Sequence, residues 1–67
     1  MNNSVRELRT ASGWSQAHMA DLLKVSRQTI IAIESGRYDP SLPLAFAIAR
    51  LFTKPIECIF TPDQENS

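Results

Sequence analysis

The sequence predicts an all-α fold of five short helices, and three observations lead to this prediction. Apolar residues recur three and four positions apart in several segments, which is the period of a helix packed on one side. Serines suited to capping a helix N-terminus precede three of those segments, at Ser15, Ser26 and Ser41. Glycine or proline separates most of the segments, at Gly13, Gly36, Pro40 and Pro55. A chain of 67 residues has room for one domain, so residues 1–67 are predicted to form a single domain.

The first helix is predicted to begin after a cap at Asn3 or Ser4 and to end at Gly13. Val5 starts its inner side. Residues 1–4 are expected to fray, as chain ends usually do.

Residues 15–36 carry two helical patterns in succession. Met19, Ala20 and Leu23 lie on one face of the first helix. Only residues 24–25 separate the two patterns, and a connection this short makes the helices cross at a steep angle. That is the geometry of a helix-turn-helix.

The second helix of this pair runs from its cap at Ser26 to Gly36. Its first turn carries Arg27 and Gln28. Arginine forms two hydrogen bonds with guanine, and glutamine forms two with adenine. These two residues are therefore candidates for reading DNA bases, and a solvated helix start is the alternative interpretation.

This segment and its surroundings resemble the Cro/C1-type (XRE-like) helix-turn-helix family over roughly residues 4–60. The resemblance implies a lambda-repressor-like fold, double-stranded DNA as the partner, and a role in transcription regulation. The matching residues are Gln16, Met19, Ala20, Leu23, Val25, Ser26, Arg27, Gln28, Thr29, Ile30, Ile33, Glu34, Gly36, Pro40, Ser41 and Leu42.

The resemblance also implies contacts with DNA phosphates. In the family, the glutamine that matches Gln16 contacts a phosphate and bridges to the start of the recognition helix, here Arg27 or Gln28. The loop after that helix lies over the DNA backbone, which makes the polar residues of this segment candidate phosphate ligands: Ser35, Arg37 and Tyr38. Covering the edge of the core is the alternative role for Tyr38.

Three further residues of the recognition helix are candidates for contact with DNA. Ile31 and Ala32 can each touch a thymine methyl group. The alternative for Ile31 is an ordinary isolated apolar residue on the surface. Thr29 places a hydroxyl at the edge of the groove, where it is a candidate phosphate ligand.

Arg9 has two interpretations. It can bind a phosphate, or it can pair with Glu34, as the matching arginine does in the family. The ion pair is the favoured interpretation, and it would join the first and third helices as a structural brace.

The fourth helix is predicted to start after Ser41, with Pro43 in its first turn, where the missing N–H does no harm. Pro43 departs from the family, whose members tend to carry an acidic residue there. Residues 53–54 end this helix. Pro55 starts the fifth helix, which ends at Ile59.

The C-terminal helices are predicted to form a homodimer, because domains this small often complete their apolar burial in this way. Ile56, Ile59 and Phe60 are the candidate interface residues. Cys58 is expected to be a buried, inert thiol. An acidic, flexible tail is predicted at about 61–67.

The net charge is zero, but its distribution is uneven. Residues 1–56 hold all seven basic residues and four of the seven acidic ones, a net charge of +3, and residues 57–67 carry −3. The body of the domain can therefore attract phosphates, although weakly.

The composition argues against several other classes of protein. A single cysteine excludes an internal disulfide, and His18 and Cys58 are too few to form a metal cluster. The sequence contains no paired carboxylates, no nucleophile beside a base and no phosphate-binding glycine loop, so neither an enzyme nor a cofactor is expected. The apolar runs are too short to span a bilayer, and the free thiol favours a cytoplasmic location.

These observations predict a sequence-specific DNA-binding regulator, a dimeric repressor of a near-palindromic operator. The alternative is an antitoxin or another protein-interaction module built on the same fold.

Overall fold

The computed structural model describes residues 2–61, which form five helices and one small antiparallel sheet. The five predicted helices and the lambda-repressor-like fold are confirmed. In chain order the elements are β1 (Asn2–Asn3), α1 (Val5–Ala11), α2 (Gln16–Leu23), α3 (Arg27–Glu34), α4 (Leu42–Phe52), α5 (Ile56–Ile59) and β2 (Phe60–Thr61). Within this part of the chain, no helix has both the length and the hydropathy needed to cross a membrane.

Serine hydroxyls begin three of the helices, as the sequence predicts. Ser15 accepts from the backbone N–H of His18 at 3.0 Å, and Ser26 accepts from that of Thr29 at 3.1 Å. The hydroxyl of Ser41 does the same at the start of α4. Each bond satisfies a donor that has no partner within its own helix. These caps place the start of α3 at residue 27.

The core lies where all five helices meet. Its fully buried side chains come from every helix, and they are Val5, Met19, Ile30, Ile33, Ile48 and Ile59. Helix α3 packs most extensively against α2 and also contacts α1. Burial of Ile30 and Ile33 therefore sets which face of α3 is left outside the core.

The two-stranded sheet is absent from the predicted fold. Asn2 pairs with Thr61 and Asn3 pairs with Phe60, and the backbone N–H of Ser4 donates to the oxygen of Ile59 at 2.9 Å. The expectation that residues 2–4 fray is therefore wrong. Two-residue strands have no periodic pattern, so their pairing is decided by the tertiary structure.

Two of the three predicted interface residues lie in the core instead. Ile59 is 1% exposed and Phe60 is 6% exposed, so neither can form the surface of a dimer. Ile56 is half-buried, and it packs against the same core. Cys58 is exposed, which corrects the prediction of a buried thiol, because α5 turns residues 56 and 59 inward and Cys58 outward.

The predicted acidic tail lies almost wholly outside the described residues. Thr61 belongs to β2, where it pairs with Asn2. Residues 62–67 are not among those that the structure describes.

The C-terminal end of α4 adopts an unfavourable backbone conformation. Thr53 ends this helix with φ at 56°, in the left-handed region that β-branched residues seldom occupy. Glycine is the usual residue at such a position.

Thr53→Gly is expected to stabilise the domain. The left-handed conformation costs an L-residue about 1–2 kcal/mol, and the extra freedom of unfolded glycine offsets only part of this, so the gain is roughly 0.5–1 kcal/mol. Urea unfolding followed by circular dichroism measures it. Thr10→Gly, within α1, is the matched control and should lower stability. An unchanged or lower stability of Thr53→Gly would contradict this account of the helix end.

Candidate nucleic-acid interface

The orientation of α3 depends on a buried ion pair. Arg9 on α1 donates from Nε to Oε2 of Glu34 at 2.6 Å and from Nη2 to Oε1 at 3.3 Å. A further bond runs from Arg9 Nη1 to the backbone oxygen of Trp14 at 2.8 Å. The side chains of Arg9 and Glu34 are only 11% and 3% exposed. With its donors directed at protein oxygens, Arg9 acts as a brace between α1 and α3 and is not placed to bind a phosphate.

Gln16, the first residue of α2, extends this network. Its Nε2 donates to Oε1 of Glu34 at 3.1 Å. Gln16 therefore reaches the last residue of α3, and the expected bridge to Arg27 or Gln28 is not formed. An amide nitrogen carries two hydrogens, so one N–H of Gln16 remains available for a phosphate oxygen. The Glu34 carboxylate thus holds a candidate DNA-binding amide in place.

The first turn of α3 is open to solvent. Arg27 and Gln28 are exposed, and neither side chain forms a hydrogen bond to another described residue. The cap at Ser26 accepts from the backbone N–H of Thr29 and leaves these two side chains projecting from the helix start. Long polar side chains at the start of a helix are suited to enter a DNA groove.

Ile31 and Ala32 are less exposed than the first turn of α3. Both are half-buried, so the Ile31 side chain is only partly exposed. The backbone oxygen of Ala32 accepts from the N–H groups of Arg37 at 3.1 Å and Tyr38 at 3.3 Å. These bonds fold the loop after α3 back against the end of the helix.

The candidate phosphate ligands differ in how accessible they are. Arg37 and Tyr38 are exposed. The Ser35 hydroxyl donates to the backbone oxygen of Ala32 at 3.0 Å, so it must rotate before it can donate to a phosphate. Thr29 is half-buried, and its hydroxyl lies 2.9 Å from that of Ser26.

The structure separates the candidates along α3. Gln16 reaches the C-terminal end of the helix through Glu34, and the loop bearing Arg37 and Tyr38 begins at that same end. Arg27 and Gln28 are at the opposite end, followed by Thr29, and Ile31 and Ala32 lie between the two ends. The candidates Arg27 and Gln28 therefore lie apart from the candidate phosphate ligands Gln16, Arg37 and Tyr38.

Two features of the structure were not predicted from the sequence. Asn3 donates from Nδ2 to the backbone oxygen of Ile33 at 2.8 Å, and no local sequence signal indicates a bond across 30 residues. Leu42 and Phe46, one turn apart on α4, are 65% and 47% exposed. We call this pair the α4 apolar face. Their spacing was visible in the sequence, but only the packing shows that they remain uncovered.

Comparison with known proteins identifies the family. The helix-turn-helix family model HTH_3 matches residues 5–57, which include all five helices except the last two residues of α5. The chain belongs to the Cro/C1-type helix-turn-helix family.

The similar proteins agree with this assignment. An HTH-type transcriptional regulator of Methanocaldococcus jannaschii is 53% identical over 66 residues, which cover 98% of this chain and all of that protein. The HTH-type regulator YgzD of Bacillus subtilis is 44% identical with the same coverage. The crystal structure of the restriction-modification controller protein C.AhdI from Aeromonas hydrophila superposes with a TM-score of 0.74 and 32% identity, covering 84% of this chain and 85% of that one.

Membership of this family makes the chain a DNA-binding transcriptional regulator and not an enzyme. Within residues 2–61, no group of three or more His, Cys, Asp and Glu side chains could hold a metal ion.

Glu34→Gln is expected to destabilise the domain by about 3–5 kcal/mol, because it leaves the Arg9 guanidinium buried without a negative partner. Chemical unfolding at pH 7 measures the loss. Glu7→Gln is the matched control: Glu7 is exposed on α1, and its loss should cost less than about 1 kcal/mol. Equal losses of unfolding free energy in the two variants would show that the Arg9–Glu34 ion pair does not stabilise the fold.

Proposed function

We propose that the protein is a homodimeric repressor that binds a near-palindromic operator. The observation that carries this proposal is the exposed first turn of α3, where Arg27 and Gln28 project without partners among the described residues. In this proposal α3 enters the major groove, where the two side chains bond to guanine and adenine edges. Ile31 and Ala32, half-buried at the middle of α3, supply apolar contacts with thymine methyl groups.

Phosphate contacts hold the domain in register on the duplex. Gln16 donates its second amide N–H, and Arg37 and Tyr38 reach the backbone from the loop beyond α3. Thr29 and Ser35 make weaker contacts, because each hydroxyl already has a partner within the protein. Most of these donors are neutral. We therefore expect binding to weaken only moderately as salt concentration rises.

The homodimer forms through the α4 apolar face, which replaces the buried Ile59 and Phe60 as the proposed contact. Leu42 and Phe46 are large apolar side chains left uncovered one turn apart on α4. Phe46 also borders a shallow groove with Ala49 and Pro55. A two-fold interface brings the same surface of each copy together, so one apolar face covers the other. The dimer then presents two α3 helices to successive major grooves.

A domain bound across an operator excludes other proteins from the same DNA. Repression by occlusion is therefore the simplest action for this fold. It requires only affinity and sequence preference, which the proposed contacts supply.

Selection of bound duplexes from a random DNA pool, at a stated salt concentration, tests the proposal. The expected product is an inverted repeat with half-site centres about ten base pairs apart. Arg27→Ala should weaken binding by about 1–3 kcal/mol and lose the preference at one base position in each half-site. Arg6→Ala, at an exposed position on α1, should retain that preference.

A pool in which no sequence is enriched would contradict the operator and direct the search to protein partners. A loss in Arg27→Ala that is uniform over all sequences would identify Arg27 as a phosphate ligand.

Phe46→Ser is expected to convert the dimer to a monomer at micromolar concentration, because it removes the largest apolar contact of the α4 apolar face. Sedimentation equilibrium measures the molecular mass. Leu22→Ser is the matched control, since Leu22 on α2 is exposed to a similar extent, 44% against 47% for Phe46. Dissociation of both variants, or of neither, would place the dimer contact elsewhere.

A further inference from the structure

Asn3 connects α3 to the two-stranded sheet. The proposed function requires these two elements to keep a fixed relative position. Its amide nitrogen Nδ2 donates to the backbone oxygen of Ile33, in the last turn of α3, at 2.8 Å. Its amide oxygen Oδ1 accepts from the backbone N–H of Val5 at 3.1 Å, at the start of α1. Its backbone pairs with Phe60 in β2. One half-buried side chain therefore connects the recognition helix to the sheet.

The acceptor at Ile33 is a group that needs partners. The last four carbonyl groups of a helix have no N–H partner within that helix. The oxygen of Ile33 accepts from the backbone N–H of Gly36 at 3.0 Å, and Asn3 supplies a second donor. Because the Ile33 side chain is fully buried, its backbone lies close to the core, and the bond from Asn3 satisfies the second lone pair of this oxygen.

The sheet leads from this bond towards the α4 apolar face. Strand β1 pairs with β2, β2 adjoins α5, and α5 packs against α4. The backbone N–H of Ser4 adds a bond to the oxygen of Ile59 at the end of α5. A continuous series of contacts therefore runs from the C-terminal end of α3 to the helix that bears the apolar face.

Directional bonds and apolar contacts play different roles in this series. The packing of Ile30 and Ile33 sets which face of α3 is buried, but it defines small rotations of the helix less sharply, because apolar burial is not directional. A hydrogen bond requires a defined distance and angle. The bond from Asn3 therefore restricts the rotation and translation of α3 relative to the sheet.

We propose that Asn3 is a positioning residue that sets the spacing between the two recognition helices of the dimer, and hence the half-site spacing that the protein prefers. This inference rests on the proposed dimeric operator binding. A fixed offset between α3 and the α4 apolar face gives one optimal separation of the half-sites. Without the Asn3–Ile33 bond, α3 can adjust and other separations are tolerated.

Asn3→Asp tests this role, because the aspartate keeps an oxygen for the Val5 N–H and loses the donor to Ile33. Asn2→Asp is the matched control: it makes the same change of charge at the adjacent, exposed residue of β1. Affinities are measured for a series of duplexes that carry the selected half-sites with the spacer lengthened or shortened by one or two base pairs. The measured quantity is the ratio of affinity at the best spacing to affinity at the others.

The wild-type protein and Asn2→Asp should show the same sharp optimum. Asn3→Asp should lower the ratio about fivefold, which is the factor that corresponds to the net free energy of one hydrogen bond. A loss of stability alone would weaken binding to every duplex by one factor and leave the ratio unchanged. That result would overturn the positioning role. If Asn3→Asp does not fold, Asn3→Ser serves instead, since its hydroxyl can accept from Val5 but is too short to reach Ile33.

The two proposals fail in different ways. If the wild-type protein binds none of the duplexes above its non-specific level, the proposed operator binding is wrong, and the role of Asn3 in it is wrong as well. If the wild-type protein has a sharp optimum and Asn3→Asp has the same one, only the role of Asn3 is wrong.

Discussion

The carboxylate of Glu34 is the group on which the arrangement of the helix-turn-helix depends. It receives hydrogen bonds from Nε and Nη2 of Arg9 and from Nε2 of Gln16, so it joins α1, the start of α2 and the end of α3. A buried carboxylate is tolerated only when its charge is paired and its oxygens are bonded, and both conditions are met here. The same bonds that compensate for its burial therefore specify how the three helices cross.

The consequence for DNA recognition is that α3 is anchored at one end and free at the other. Arg9, Gln16 and Asn3 all bond to its last two residues, Ile33 and Glu34. The first turn, with Arg27 and Gln28, is exposed. An anchored helix with an open first turn can present flexible side chains to bases without losing its own orientation. Preorganisation of this kind reduces the ordering that binding would otherwise require.

The charge of the domain fits a regulator that depends on specific contacts more than on general attraction. The chain has no net charge, and Arg9, one of its seven basic residues, is neutralised by Glu34. The other six basic residues are balanced by six further acidic residues of the chain, so its general attraction to DNA phosphates is weak. In such a protein the discrimination between sites rests on the bonds of a few side chains at the groove.

Local chemistry determined most of the helical framework. Serine caps, apolar periodicity and the two-residue connection are all signals within about one or two helical turns, and they placed α2, α3 and α4 correctly. The Arg9–Glu34 pair was anticipated through the resemblance to a family and not from spacing. Tertiary structure alone decided the pairing of Asn2–Asn3 with Phe60–Thr61, the burial of Ile59 and Phe60, and the bond from Gln16 to Glu34 in place of one to Arg27 or Gln28. These outcomes share one physical cause. They depend on which groups come into contact once the core has formed, across 18 to 59 residues of chain. Residues adjacent in sequence give no local signal of such contacts.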